Sequence, residues 1–137
     1  MEVSPHGPVL VVDDHPINRL LLEHVLELEQ LEVLGAGSIA EAERVLEETV
    51  PPVIVLDLQL PDGYGLDLAR RLKADPHTSA CAIVACTAAR IPDEEHLARA
   101  IGCEGYVTKP IDTCGFARLV CSLMPSRRPV SRPVAGR

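Results

Sequence analysis

Four short runs of aliphatic residues punctuate the chain, and each one ends in a group with chemistry. Val9, Leu10, Val11 and Val12 run into Asp13 and Asp14; Val53, Ile54, Val55 and Leu56 run into Asp57. Ala82, Ile83, Val84, Ala85 and Cys86 run into Thr87, and Tyr106, Val107 and Thr108 run into Lys109 and Pro110. Unbroken runs of this length, bounded by prolines and turn residues, read as strands covered on both faces, as in a parallel sheet. Between them the pattern changes to a helical one. Pro16 sits in the first turn of a helix predicted over 16–30, with Ile17, Leu20, Leu21, Val25, Leu28 and Leu31 as its inward stripe. Leu22 and Leu26 fall on the far side, four residues apart, beside Arg19 and Glu29. A weaker strand follows over 32–36. Ser38 and Glu41 form a capping box for a second helix with Ile39, Ala42, Val45 and Leu46 inward, ended by Pro51 and Pro52. The third strand covers 53–57. Pro61, Asp62 and Gly63 are turn chemistry, ahead of a helix over 64–73 that buries Leu68 and Leu72, flanked by Leu66 and Ala69. A fourth strand over 80–86 leads to a helix over 93–101 closed by Gly102. A fifth strand over 104–108 precedes a last helix, capped by Asp112 and running to 124, with Phe116, Leu119, Val120 and Leu123 apolar.

Five strand–helix alternations predict an α/β domain, doubly wound around a five-stranded parallel sheet. Right-handed crossovers place helices on both faces. The domain spans 8–124. A polar leader covers 1–7, and a Pro-, Arg- and Ser-rich tail without period covers 125–137 and reads as disordered, or else as a basic tether to an acidic partner. No internal repeat is present.

Composition narrows the partners. The 137 residues are 47% apolar but only 2% aromatic, with no Trp, so Val, Leu, Ile and Ala must build the core. Net charge is −7; the last thirteen residues hold four arginines and no acid, so the rest carries 9 − 20 = −11. A body that acidic lacks the Lys/Arg clusters that phosphate backbones require, which excludes nucleic-acid binding as the main function. Five cysteines, at 81, 86, 103, 114 and 121, are an odd number scattered through apolar segments without zinc-ligand spacing. They fit free buried thiols in a reducing compartment. No signal-peptide core and no bilayer-length span occur, so a soluble cytoplasmic protein without membrane contact is expected.

In an open α/β sheet, groups at the carboxyl ends of the strands face the ligand crevice. Asp13, Asp14 and Asp57 would meet there, and three neighbouring carboxylates repel unless a cation neutralises them. A few hard oxygen ligands with open positions suit Mg²⁺. Lys109 adds a positive charge and Thr87 a hydroxyl. Together these make a phosphoryl-transfer site, in which Asp57, on the central strand, is the candidate nucleophile. A single Asp at a strand end is usually a cap or a turn residue; four such strand ends at once are not so easily dismissed.

This set resembles the response-regulator receiver domain of two-component signalling. Asp13 and Asp14, then Asp57 with Pro61, Asp62 and Gly63, then Thr87 and Ala88, then Lys109 and Pro110 follow that family's order and spacing over about 8–124. The Gly102, Cys103, Glu104, Gly105, Tyr106 approach to the lysine is similar as well. The resemblance implies a sheet of order 2-1-3-4-5 and a single-domain response regulator. Asp57 would accept a phosphoryl group from a histidine of a sensor kinase or phosphotransfer protein, and a downstream regulator or kinase would read it. Asp14, Asp57 and the backbone carbonyl of Gln59 would bind Mg²⁺, with Asp13 acting through water. Thr87 and Lys109 would bond the phosphoryl oxygens, small Ala88 would leave them accessible, and Tyr106 would swing inward. The Lys109–Pro110 bond would be cis. The first helix would dock on the donor's helical bundle, and Leu22 with Leu26 would be that docking surface, or else extra core or a homodimer contact.

Each of these positions also has a plainer reading. Tyr106 can be a core aromatic, Gln59 only a turn residue rather than one positioning a water, His15 a solvated helix start, and Cys86 an inert thiol. At the level of the whole chain, a Mg²⁺-dependent phosphohydrolase of the haloacid dehalogenase type also uses an Asp nucleophile on a parallel sheet. It requires a second Asp two residues on, where this chain has Gln59, and a cap domain. A degenerate receiver serving as a scaffold would lack motif residues, and none is missing. A receiver from a larger hybrid kinase is disfavoured by the Met1 leader and the distinct tail.

Overall fold

The computed structural model describes residues 7–89 and 91–125. The leader and tail expected at either end therefore lie outside the described residues, apart from Gly7 and Pro125. The elements are β1 (Val9–Val12), α1 (Pro16–Glu27), β2 (Val33–Ala36), α2 (Ile39–Glu48), β3 (Val53–Asp57), β4 (Gln59–Leu60), β5 (Gly63–Tyr64), α3 (Gly65–Ala74), β6 (Ala82–Thr87), α4 (Glu94–Ile101), β7 (Gly105–Thr108) and α5 (Thr113–Leu123). Five strands form one parallel sheet in the order β2-β1-β3-β6-β7. Counting only strands of that sheet, this is the expected 2-1-3-4-5. The turn at Pro61 and Asp62 proves to be the tip of a small antiparallel hairpin, in which Gln59 pairs with Tyr64 and Leu60 with Gly63.

The sheet is apolar on both faces because helices cover both. Successive strand residues point to opposite sides. Leu10, Val12, Ile54, Leu56, Ile83 and Ala85 pack with α2, α3 and Ala98 of α4. Val9, Val11, Val53, Val55, Val84 and Cys86 pack with Leu22 and Leu26 of α1 and with Phe116 and Val120 of α5. The inward residues expected on α2 and α3 are where the pattern put them, with Val45 half-buried and Leu66 and Ala69 as buried as Leu68. Ser38 caps α2 as predicted, accepting from the Glu41 N–H at 3.1 Å, but Glu41 reaches back to the Gly37 N–H rather than to that of Ser38.

Helix α1 corrects the sequence reading. Leu22 and Leu26 are 1% and 0% exposed, whereas Ile17 and Leu20 are 72% and 64% exposed, with Leu21 and Leu28 also on the surface. Ile17, Leu20, Leu21 and Leu28 are outward and Leu22 and Leu26 inward, the reverse of the prediction, while Val25 is half-buried against the core as expected. Leu22 and Leu26 are therefore core residues and not a docking patch. The physical reason lies at the helix N-terminus. There the inward face carries Asn18 and Arg19, which turn toward Asp13 rather than toward solvent. Leu31 is buried as expected, but α1 ends at Glu27, and Gln30, at φ 65°, reverses the chain before Leu31. The thiols are mostly as expected, with Cys81, Cys86 and Cys103 buried, but Cys114 is exposed. Among the described residues no helix is long and apolar enough to cross a membrane.

Candidate functional site

The parallel register brings the strand ends together. Val12 pairs with Leu56, so the next residues, Asp13 and Asp57, are neighbours; Asp57 pairs with Cys86, and Thr87 with Thr108. Asp57 is 5% exposed and Asp13 2%, while Asp14 is exposed. Each of the three offers a carboxylate oxygen, and these oxygens lie within 4.8 Å of one another. Like charges this close need an opposite charge. Lys109 provides one, with Nζ 3.1 Å from Asp57 Oδ2 and 3.2 Å from Asp13 Oδ2. Its backbone N–H donates to the Thr87 carbonyl at 2.8 Å, and the Lys109–Pro110 bond is cis.

Asp57 is held at both oxygens, because Oδ1 accepts the Gln59 N–H at 3.0 Å while Oδ2 faces Lys109. Burial pushes its carboxyl group up from the ordinary value, against the pull of the Gln59 N–H and Lys109. Burial works to lower the Lys109 ammonium, but the hydrogen bonds and charges of Asp57 and Asp13 outweigh it and hold Lys109 protonated. The backbone beneath Asp57 is fixed by a close approach. A Cβ on Gly65 would lie 2.4 Å from the Asp57 carbonyl oxygen, so only glycine lets α3 start there.

Three residues at the start of α1 hold Asp13, a role the sequence reading gave to none of them. Asn18 Nδ2 donates to Oδ2, His15 N–H donates to Oδ1 at 2.9 Å, and Arg19 Nη1 donates to the Asp13 backbone carbonyl at 2.6 Å. Gly35 and Gly37 leave room for that arginine, since a Cβ on Gly37 would lie 3.1 Å from Arg19 Nη1. The signal was present as two polar residues one turn after the acidic pair. His15 is, as the plainer reading had it, the exposed N-cap of α1. Asp62, read as a turn residue, accepts the Ile39 and Ala40 N–H groups at 2.9 and 3.0 Å and thereby caps α2 from the hairpin.

The residues expected to act as the switch, Thr87, Ala88 and Tyr106, are near the acidic cluster but not bonded to it. Thr87 is fully buried, and its Oγ1 accepts the Ala89 N–H at 3.1 Å with no bond to Asp57 or Lys109. Ala88 is exposed beside it. Tyr106 lies on the same sheet face as Thr87, paired with Ala85. Its hydroxyl donates to Glu94 Oε1 at 2.8 Å. The other oxygen of Glu94 accepts the hydroxyl of Tyr64. Glu94 is 2% exposed, a buried carboxylate that no sequence pattern marked. Burial, followed by the bond to Glu94, pushes Tyr106 up to about 12. Cys86, enclosed in the sheet, is pushed up to about 12 by burial and is an inert thiol.

An acidic triad with a charge-paired lysine, a nearby hydroxyl and a tyrosine, on a sheet of this order, defines the class. The sequence profile of the response regulator receiver domain matches residues 9–119, and the chain belongs to that family of two-component signalling modules. It is 31% identical over 116 residues to the polar-differentiation response regulator DivK of Brucella ovis, covering 85% of this chain and 94% of the relative. A response regulator receiver protein from Pseudomonas putida superposes with a TM-score of 0.80 at 27% identity, covering 88% of this chain and 99% of that one. The receiver domain of HemR from Leptospira biflexa gives 0.79 at 27% identity, covering 90% and 98%. Family membership removes the phosphohydrolase alternative. Receiver domains are signalling modules rather than enzymes in the usual sense, and they interact with histidine kinases or phosphotransfer proteins.

Proposed function

We propose that the chain is a response regulator whose Asp57 accepts a phosphoryl group from a phosphohistidine and passes the signal on by protein–protein contact in the cytoplasm. One observation carries this reading: Asp57 ends the central strand with one oxygen on the Gln59 N–H and the other on Lys109, amid two further carboxylates. The transfer forms an O–P bond to the Asp57 carboxylate and breaks the P–N bond of the donor, whose imidazole leaves as the neutral ring after taking a proton. The catalysis is positioning and charge neutralisation. Asp14, Asp57 and the Gln59 carbonyl have the hard-oxygen chemistry for Mg²⁺, with Asp13 acting through water. When bound, that ion supplies neutralisation of the transferring oxygens. Lys109 follows the charge from Asp57 to the phosphoryl group, Thr87 turns its hydroxyl from Ala89 toward it, and Tyr106 responds behind Thr87. Ala88 leaves the group open to water, and the exposed Gln59 amide borders it and tunes its loss. The only chemistry the chain catalyses is its own phosphorylation and dephosphorylation.

The donor is a sensor histidine kinase or a histidine phosphotransfer protein, and a downstream regulator or kinase reads the result. The donor's histidine must reach the strand ends, and α1 begins three residues beyond Asp13. Its exposed Ile17, Leu20, Leu21 and Leu28 therefore take the docking role first given to Leu22 and Leu26, against an apolar helical face of the donor. The deciding experiment is intact mass after incubation with a small phosphodonor and Mg²⁺. Wild type gains one phosphate; Asp57→Asn, and wild type without metal, gain none. A folded wild type that gains nothing would turn the reading toward a scaffold.

A further inference from the structure

Helix α4 is the most lightly held helix of the fold. It has eight residues, and its buried positions are Glu94 and the small Ala98. Its N-cap, Asp93, sits at φ 65° and makes no side-chain capping bond. What fixes the helix start is the Glu94 carboxylate, buried with one oxygen on the Tyr106 hydroxyl at 2.8 Å and the other on the Tyr64 hydroxyl. A buried carboxylate is costly unless its lone pairs are satisfied. Each tyrosine is thus needed to keep Glu94, and with it the first turn of α4, inside.

The two tyrosines reach Glu94 from two separate elements. Tyr106 is on β7, on the face it shares with Thr87. Tyr64 ends the small hairpin, paired directly with Gln59, whose N–H holds Asp57 Oδ1. Resting on the reading of Asp57 as phosphoacceptor, we propose that Tyr64, Glu94 and Tyr106 form a two-armed clamp on α4 that phosphorylation opens. Tyr64 and Glu94 are positioning residues for the switch, and the Gln59–Tyr64 hairpin is a second line from Asp57 to α4 beside that through Thr87. Movement of Thr87 pulls on the loop leading to α4, and movement of Gln59 pulls on Tyr64. Either one separates Glu94 from a tyrosine hydroxyl, and Glu94 then leaves its buried position with the start of α4.

The chain offers its own probe. It contains two tyrosines, both bonded to Glu94, and no Trp, so its tyrosine emission reports on the clamp alone. A carboxylate accepting a phenol proton quenches that emission. The experiment compares the full chain with Tyr64→Phe and Glu94→Gln, each with and without a small phosphodonor and Mg²⁺, by tyrosine emission and by amide exchange in 94–101. Intact mass scores loading in every sample. Without phosphodonor, Tyr64→Phe should exchange about fivefold faster in α4 than wild type, the factor expected for one lost hydrogen bond. On loading, wild-type emission should rise and α4 should exchange faster, while Glu94→Gln should start bright and change little. Equal α4 exchange in Tyr64→Phe and wild type overturns the clamp, as does loaded wild type with unchanged emission. Absence of loading instead strikes at the phosphoacceptor reading, and the comparison without phosphodonor still decides on the clamp.

Discussion

Helices α1 and α4 each follow a strand that ends at or beside the acidic site, and they are held in opposite ways. Helix α1 buries Leu22 and Leu26 completely against the sheet and α5, and each such side chain contributes about 1.5–3 kcal/mol. Helix α4 buries the single methyl of Ala98, worth about 0.8 kcal/mol, with Ile101 half-covered beside it. Among the described residues, the side-chain hydrogen bonds that tie it to other elements are the two tyrosine hydroxyls on Glu94. Apolar packing has no direction and weakens only gradually with displacement. A hydrogen bond is lost over a fraction of an ångström. Under the proposed reading of Asp57 as phosphoacceptor, the difference gives the two helices different work: α1 is the fixed platform beside it, and α4 the part that moves when it is loaded.

The contrast can be broken most strongly on the α1 side. Leu26→Ala should cost about 2–5 kcal/mol in urea unfolding, because the cavity lies between sheet and helix and cannot collapse. Glu94→Ala should cost less, about 1–3 kcal/mol, as two tyrosine hydroxyls lose their acceptor. A variant at 94 as damaging as one at 26 would mean that α4 is no more releasable than α1. The clamp also has a pH signature. Burial and Glu94 raise Tyr106 from 10 to about 12 in the folded protein and raise Tyr64 as well. The unfolded chain therefore loses these protons first, and the stability they confer is complete below about pH 10 and declines as pH rises toward about 12. Phenolate absorbance of the native protein should stay low past pH 10, and Glu94→Gln should bring its rise to lower pH. The smallest thermodynamic effect belongs to the exposed face of α1: Leu20→Ser should change stability by no more than about 0.5 kcal/mol. The same variant should slow transfer from a histidine phosphotransfer donor while leaving labelling by a small phosphodonor unchanged. Equal rates from the protein donor would remove the platform from α1.

The two helices also show where a sequence can be read and where it misleads. The strand ends were legible because a buried parallel strand must be apolar throughout, so Asp13, Asp57, Thr87 and Lys109 stand out against it. Helix α1 was misread because it is apolar on most sides, and Arg19 and Glu29 beside Leu22 and Leu26 made that face look solvated. Arg19, and Asn18 next to it, instead belong to the inward side. They point inward because the adjoining surface is the acidic site and the backbone of Gly35 and Gly37, not hydrocarbon. The Glu94 clamp was illegible for a different reason. Its members lie 30 and 12 residues apart and share no local pattern. A lone Glu in the first turn of a helix is ordinarily solvated and favourable to the helix dipole. Only the fold reveals that this one is enclosed.

The contact at Gly65 has a use in measurement. Because α3 begins against the main chain of Asp57 and Leu58, with no side chain between, the distance from α3 to the acceptor is set by backbone alone. For the proposed switch, α3 is therefore the reference end against which α4 can be measured. A paired label on exposed Arg70 of α3 and on exposed Leu97 of α4 would record displacement of α4 relative to that reference. A shift in that distance could then be read against α3 without a third label.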